Sequence, residues 1–365
     1  MPLRRRVRDA RGSDDVPERD ARADAVDSSG GPSPDVDAEA RDDEADEGRG
    51  VAADAQEPVA GGSPEAGAER ESTSWKLEVG TEIFPGRSVF KRLGGGSMYE
   101  VYLVWDDWLH ALMVAKLLRP NRMNEERARR EMLRESMVLE RLAHPMLVRT
   151  FGADLDTEYP HILLEHLEGD TLRRLVKRHG FLPMEQLLPL ALHVTSALHY
   201  LKNREMVHLD VKPGNIVMSA PPRLIDLSIA RSFEDAAALR NPIGTDAYMA
   251  PEQCAPQTRG VIGPPADVFG LGATLFHAAV GKAPFPRARG ASKSEVPEER
   301  WPQLVDEPIA MHRDVAPLFG RLLLAMINKD PGARPTAAEV ALELEPLIAT
   351  LPTRVFATRR GLRAG

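Results

Sequence analysis

The first seventy residues hold ten Arg and nineteen Asp or Glu, yet no Lys and no Phe, Trp or Tyr. This absence bounds the fold more tightly than any other feature of the 365-residue chain. Without aromatic side chains, and with charge clustered in runs such as RDDEADEGR, the segment cannot bury enough apolar surface to offset the entropy of ordering, so it is expected to be a disordered acidic tail over 1–79. Ten minus nineteen leaves minus nine, which is nearly the whole formal charge of minus eight. The remainder is close to neutral, and no nucleic-acid partner is expected. The opening MPLRRRVR runs into acidic residues without an apolar stretch, and no run reaches about eighteen uncharged apolar residues. A cytoplasmic protein without a membrane span is the expectation. Cys254 is the only cysteine, which excludes an internal disulfide and a cysteine-based zinc site.

Beyond Trp75 the pattern changes to strand-like runs, SVFKRL (88–93), EVYLVWD (100–106) and ALMVAKLL (111–118), with glycines between the first two. These predict a small antiparallel sheet. An amphipathic segment follows over 124–143, with Met132, Met137, Leu139 and Leu142 among its apolar positions and Asn124 as its expected N-cap. Two short apolar runs, MLVRTFG and HILLEHL, come next. After Gly169 the signal is mostly helical, over 184–201, 266–281 and 337–351. The reading is an α+β, bilobal chain: a small antiparallel-sheet lobe with one helix over 80–168, a larger mostly helical lobe over 169–351, and a short basic tail over 352–365.

Several residues suggest chemistry. In LGGGSMYEVY (93–102), glycines between two strands let backbone amides approach phosphate oxygens, although the stretch alone fits an ordinary hairpin turn equally well. Lys116 sits inside an apolar run, where an unpaired ammonium is costly to bury, and Glu135 on the amphipathic segment can supply the counter-charge. Taken alone, the two also fit a surface ion pair. The stretch MVHLDVKPGNIVM (206–218) places His208, Asp210, Lys212 and Asn215 between apolar flanks, and Asp226 follows in RLIDLSIAR. Phosphoryl transfer needs hard oxygen ligands for Mg²⁺, a carboxylate to orient the attacking hydroxyl, and positive charge at the transferred group. Asn215 and Asp226 can be the ligands, Asp210 the carboxylate and Lys212 the charge.

Order and spacing together resemble the eukaryotic-type serine/threonine protein kinases found in bacteria, over about residues 84–350. GGGSMYEV is similar to the nucleotide-covering loop, MVAK to the lysine strand, Glu135 to the helix glutamate, HLDVKPGN to the catalytic loop, DLS to the magnesium-binding triplet and GTDAYMAPE (244–252) to the substrate-side end of the activation segment. Asp267, and Arg334 as partner of Glu252, fall where the family keeps structural supports. The resemblance implies ATP and Mg²⁺ as cofactors and Asp210 and Lys212 as catalytic residues. It places ATP against Leu93, Gly94, Gly95, Gly96, Ser97 and Val101 from the loop side, with Ala115, Lys116 and Glu135 behind them. It also implies a hinge at LLEHLEG, with Leu164 as gatekeeper and adenine bonded to backbone groups of Glu165 and Leu167. The partner it implies is a protein with a Ser or Thr acceptor, the chain itself included; Lys212 and Gly244-Thr245 favour Ser/Thr over Tyr.

Three positions depart from the family pattern. Leu209 stands where an arginine that meets a phosphorylated activation-loop residue is usual, and Ser232 is the only hydroxyl between Arg231 and Ile243. The loop is therefore expected to reach its working shape without phosphorylation, with the Thr245 hydroxyl supporting Asp210 and Lys212. Tyr99 replaces the third loop glycine and is expected to cover the phosphates. Ser228 replaces the glycine after Asp226-Leu227 and restricts the backbone there. These departures also keep open a nucleotide-binding scaffold without catalysis, whereas GTDAYMAPE and Arg334 argue against a small-molecule phosphotransferase.

Overall fold

The computed structural model describes residues 73–256, 258–288, 290–311 and 315–351. The expected tails at 1–72 and 352–365 lie outside the described residues. Strands β1 (Glu82–Phe84), β2 (Arg87–Gly95), β3 (Tyr99–Asp106) and β4 (Ala111–Leu118) lead into helix α1 (Glu126–Arg141), then β5 (Thr150–Asp154) and β6 (His161–Glu165). They form one antiparallel sheet in the order β1-β2-β3-β4-β6-β5. Helices α2 (Leu172–His179) and α3 (Met184–Asn203) open the second lobe, which continues through the short strands β7 (Met206–Val207), β8 (Ile216–Val217), β9 (Arg223–Leu224) and β10 (Arg231–Ser232). Next come α4 (Phe233–Ala237), α5 (Pro251–Cys254), α6 (Pro264–Val280), α7 (Pro297–Arg300), α8 (Pro317–Met326) and α9 (Ala337–Ile348). This is the bilobal α+β arrangement that the sequence pattern implies. No helix among the described residues is long and apolar enough to cross a membrane.

Alternation along β3 and β4 puts apolar side chains on both faces of the sheet, and each face has a cover. Outward, Tyr102, Val104, Ala115 and Leu117 pack with Trp75 and Leu77. The Trp75 indole N–H donates to the Leu118 carbonyl at 2.8 Å, and its ring meets Tyr159 edge-on at 4.8 Å. The segment from Trp75 thus packs on the lobe, two apolar side chains sufficing to dock a short extended stretch. Inward, Tyr99 and Leu118 pack with α1 in a cluster that continues into the second lobe.

Helix α1 buries Ala128, Met132, Glu135, Ser136 and Leu139, one stripe at i, i+4, i+7, i+8 and i+11. Met137 is 44% exposed, because five residues from Met132 turn it about 140° away from that stripe. Asn124 does not cap the helix either. Glu125 occupies the N-cap without a side-chain bond to the backbone, and its carboxylate is held instead by Arg122 at 2.7 Å.

In the second lobe α3 packs against α6 and α9. Arg334 and Glu252, both fully buried at the side chain, form a two-pronged ion pair at 2.6 and 2.8 Å. The guanidinium also donates to the carbonyls of Asn328 and Pro265, so every charge is met by a directed bond. Removing one partner strands the other in an apolar interior. Arg334→Ala is expected to cost about 3–5 kcal/mol, read as a lower urea midpoint, and Arg334→Lys should recover only part of it because an ammonium cannot bridge both oxygens.

Candidate active site

Lys116 projects from β4 beneath the glycine stretch. Its ammonium donates to both oxygens of Glu135, at 2.8 and 2.9 Å, and to Oδ1 of Asp226 at 2.9 Å. Burial alone would lower the Lys116 pKa, but the Asp226 and Glu135 carboxylates hold it far above the ordinary lysine value. Burial likewise opposes ionisation of Asp226, yet the Lys116 ammonium keeps its carboxyl well below the usual range. Both groups are charged at neutral pH. Asp226 has φ of 66°, a left-handed conformation uncommon for a non-glycine residue, and its contact with Lys116 is what turns it inward.

Tyr99 is turned inward. It begins β3 on the Lys116 side of the sheet, where its ring is 9% exposed and packs with Leu118 and Met132. The Lys116 ammonium stands 4.4 Å from the ring centroid, within cation–π range. Burial pushes the phenol pKa up, with Lys116 opposing, so the ring serves as a neutral wall. Above it, Gly95 has φ of 150°, and a Cβ there would come within 2.5 Å of the Tyr99 carbonyl. That contact reserves the position for glycine.

Cross-strand partners share a face. Val101 lies opposite Lys116, and Val114 lies opposite both Leu103 and Leu164. Val101, Val114 and Leu164 thus share the Lys116 face. Ala115 does not: it pairs with Tyr102 and Leu163 and is buried in the outer cluster. Val114, not the expected Ala115, therefore lies on the Lys116 face, as the two-residue period counted back from Lys116 requires. Leu93 is 40% exposed at the end of β2. At the hinge, the Glu165 amide donates to the Arg149 carbonyl at 2.9 Å. The Glu165 carboxylate accepts from the Arg149 amide, and Leu167 packs against the core.

The loop after β7 is suspended from α6. Asp267, in the first turn of that helix, accepts from the amides of His208 and Leu209, both at 2.7 Å. Burial pushes the Asp267 pKa upward against these donors. His208 is buried and its Nδ1 accepts from the Asp210 amide at 3.2 Å. Leu209 has φ of 67° and is 3% exposed. Its side chain fills the core, and its carbonyl accepts from Gln253.

These supports bring the expected polar residues to one place. Asp210 accepts from the Thr245 hydroxyl at 2.7 Å through Oδ1 and from the Asn215 amide at 3.0 Å through Oδ2, and Lys212 lies 3.0 Å from Oδ2. Lys212 also donates to the Thr245 hydroxyl at 2.8 Å. The β8–β9 hairpin brings Asn215 beside Asp226, since the Ile225 amide bonds to the Asn215 carbonyl at 2.8 Å. With its amide nitrogen spent on Asp210, Asn215 offers an oxygen; Asp226 has given Oδ1 to Lys116 and retains Oδ2. No cluster of three or more His, Cys, Asp or Glu suited to a metal occurs among the described residues. The donor set is therefore two hard oxygens with other positions left to phosphate and water, which fits Mg²⁺.

Comparison with known proteins agrees with this geometry. The family model described as protein kinase domain matches residues 87–343. The probable serine/threonine-protein kinase PkwA of Thermomonospora curvata is 31% identical over 71% of this chain and 34% of its own length. The serine/threonine-protein kinase PknB of Mycobacterium leprae is 29% identical over 69% of this chain and 41% of its own length. The chain thus spans well under half the length of these curated relatives.

The face assignment is testable. Val114→Phe should raise the nucleotide KM at least about tenfold, equivalent to ~1.4 kcal/mol. Ala115→Val should leave that KM unchanged while costing about 1–3 kcal/mol of stability through overpacking. The reverse outcome would place Ala115, not Val114, at the nucleotide.

Proposed function

The chain belongs to the protein kinase domain family, and on that premise we propose that it transfers the γ-phosphoryl group of ATP to Ser or Thr hydroxyls of protein substrates, itself included, in the cytoplasm. The observation that carries this reading is the joint presence of two assemblies: the ammonium of Lys116 held between Glu135 and Asp226, and Asp210 held by Thr245, Lys212 and Asn215.

In this mechanism Lys116 holds the nucleotide's phosphates, its own orientation set by Glu135. Asp210 orients the attacking hydroxyl and accepts its proton, and Lys212 offsets charge developing on the transferred group. Mg²⁺, when bound by Asn215 and Asp226, supplies Lewis-acid neutralisation of the phosphate oxygens. Val101, Val114 and Leu164 face the base, with the Glu165 carbonyl and the Leu167 backbone as its hydrogen-bond partners. Incubation with Mg²⁺, labelled ATP and a generic basic protein should show incorporation that Asp210→Asn lowers by about 10²–10⁴-fold. Equal incorporation by both proteins would instead favour a nucleotide-binding scaffold without catalysis.

Independence from activation-loop phosphorylation is part of the proposal. Leu209 is buried among apolar neighbours and carries no charge for a phosphate. Ser232 is occupied as the N-cap of α4, its hydroxyl accepting from the Asp235 amide at 3.1 Å. Ser232→Ala should weaken that short helix by about 0.5–2 kcal/mol and leave the transfer rate nearly intact. A loss of about hundredfold, or ~2.7 kcal/mol of transition-state stabilisation, would overturn this part alone.

A further inference from the structure

Asp246 lies one residue beyond Thr245, in the stretch GTDAYMAPE, and hydrogen-bond donors from a distant part of the chain converge on it. Arg287 Nη1 donates to Oδ2 at 2.7 Å, and Arg300 approaches Oδ2 at 3.3 Å through Nε and Oδ1 at 3.4 Å through Nη2. The Trp301 indole N–H donates to Oδ1 at 2.8 Å. The Asp246 backbone carbonyl accepts from Gln303 Nε2 at 2.7 Å, which also donates to the Met249 carbonyl at 3.0 Å. The Arg300 guanidinium covers the Trp301 ring at 4.6 Å. Trp301 and Leu304 bury with Met249 and Cys254 in a small core of their own.

The Asp246 side chain is only 14% exposed and takes bonds from two guanidiniums at once. The arrangement suits an anion whose purpose is to fix the backbone around it. A phosphorylated activation-loop residue typically makes one to three charge-assisted bonds; Asp246 receives contacts from two arginines and a tryptophan without modification. Its neighbour Thr245 touches both Asp210 and Lys212. Immediately before them Gly244, with φ of 123°, leaves no room for a Cβ, which would lie 2.9 Å from the Leu209 carbonyl. Gln253 ties that same carbonyl to the carbonyl of Ile243. The backbone of 243–249 is thus held from both sides.

We propose that Asp246 is an encoded anion that orders the substrate-side end of the activation segment, and that it acts on phosphoryl transfer as a positioning residue through Thr245. Leu209 carries no charge to meet an anion, and the donors to Asp246 come instead from Arg287, Arg300 and Trp301. This inference rests on the kinase reading for its effect on rate, though not for its effect on order.

Hydrogen exchange of the whole chain tests order without requiring activity. The amides of Tyr248 and Met249 both donate to the Thr245 carbonyl, and in Asp246→Asn, which keeps the side-chain volume, their exchange should accelerate at least about tenfold. In the transfer assay kcat should fall about tenfold or more while the nucleotide KM changes less than about twofold, because Val101, Val114 and Leu164, the residues proposed to face the base, lie on the sheet lobe away from Asp246. Arg287→Gln, at a partly exposed partner, should reproduce a smaller loss, and the double variant should lose less than the sum of the two. Unchanged exchange in Asp246→Asn overturns the proposal, as does a nucleotide KM that moves as much as kcat. If Asp246→Asn does not fold, the same readouts on Arg287→Gln decide the matter. Wild-type protein that transfers nothing would remove the kinase reading, while exchange would still decide whether Asp246 orders the segment.

Discussion

The ammonium of Lys116 joins three elements that are far apart in the chain. Glu135 lies 19 residues away on α1 and Asp226 lies 110 residues away beyond β9. A cation at a position 8% exposed is tolerable only if its charge is met by directed bonds. Satisfying it therefore fixes how the helix docks on the sheet and how the loop after β9 faces the first lobe. The Tyr99 ring strengthens the constraint: at the third loop-glycine position it closes the space beside Lys116 with a polarisable face, so the ammonium has fewer alternative orientations. The cleft is built around a charge that would be destabilising without its two carboxylates.

The second half of the site uses a different device. Asp267 receives two loop amides, His208 a third, and Gln253 binds the carbonyl between them. These bonds hold Leu209 in a left-handed conformation and aim Asp210 towards Thr245. Because each supporting group is buried, breaking one leaves a desolvated partner, so the loop is held by the cost of losing any single bond. Asp246, with Arg287, Arg300 and Trp301, extends this principle to the segment opposite. Leu209 itself carries no charge and packs in the core.

Much of this was legible in the one-dimensional pattern, and the failures have physical causes. Strands β2, β3 and β4 and helices α3, α6 and α9 follow from runs and periodicities strong enough to survive tertiary context. Asn124 failed as a cap because Arg122 and Glu125 organise the turn before α1 first. Met137 is apolar in type but lies on the wrong side of its helix. Ala115, which the resemblance placed beside Lys116 at the nucleotide, takes the opposite face because alternation in a strand separates neighbours. Trp75 and Leu77 dock on the outer face of the sheet, a long-range packing that composition over 1–79 does not show. No signal pointed to Asp246, whose partners are more than forty residues away.

Sequence by itself determined which residue types were available and in what order: a segment without aromatic residues that cannot form a core, a lysine in an apolar strand that demands an anion, and a run of Asp, Lys and Asn between hydrophobic flanks. Those are consequences of composition and local period, which need no knowledge of neighbours in space. Only the tertiary structure decided which anion each cation meets, which face each strand residue takes, and where the aromatic ring at 99 points. Such choices depend on long-range pairings whose geometry is settled when the lobes pack, because charge and shape are satisfied between elements and not within them.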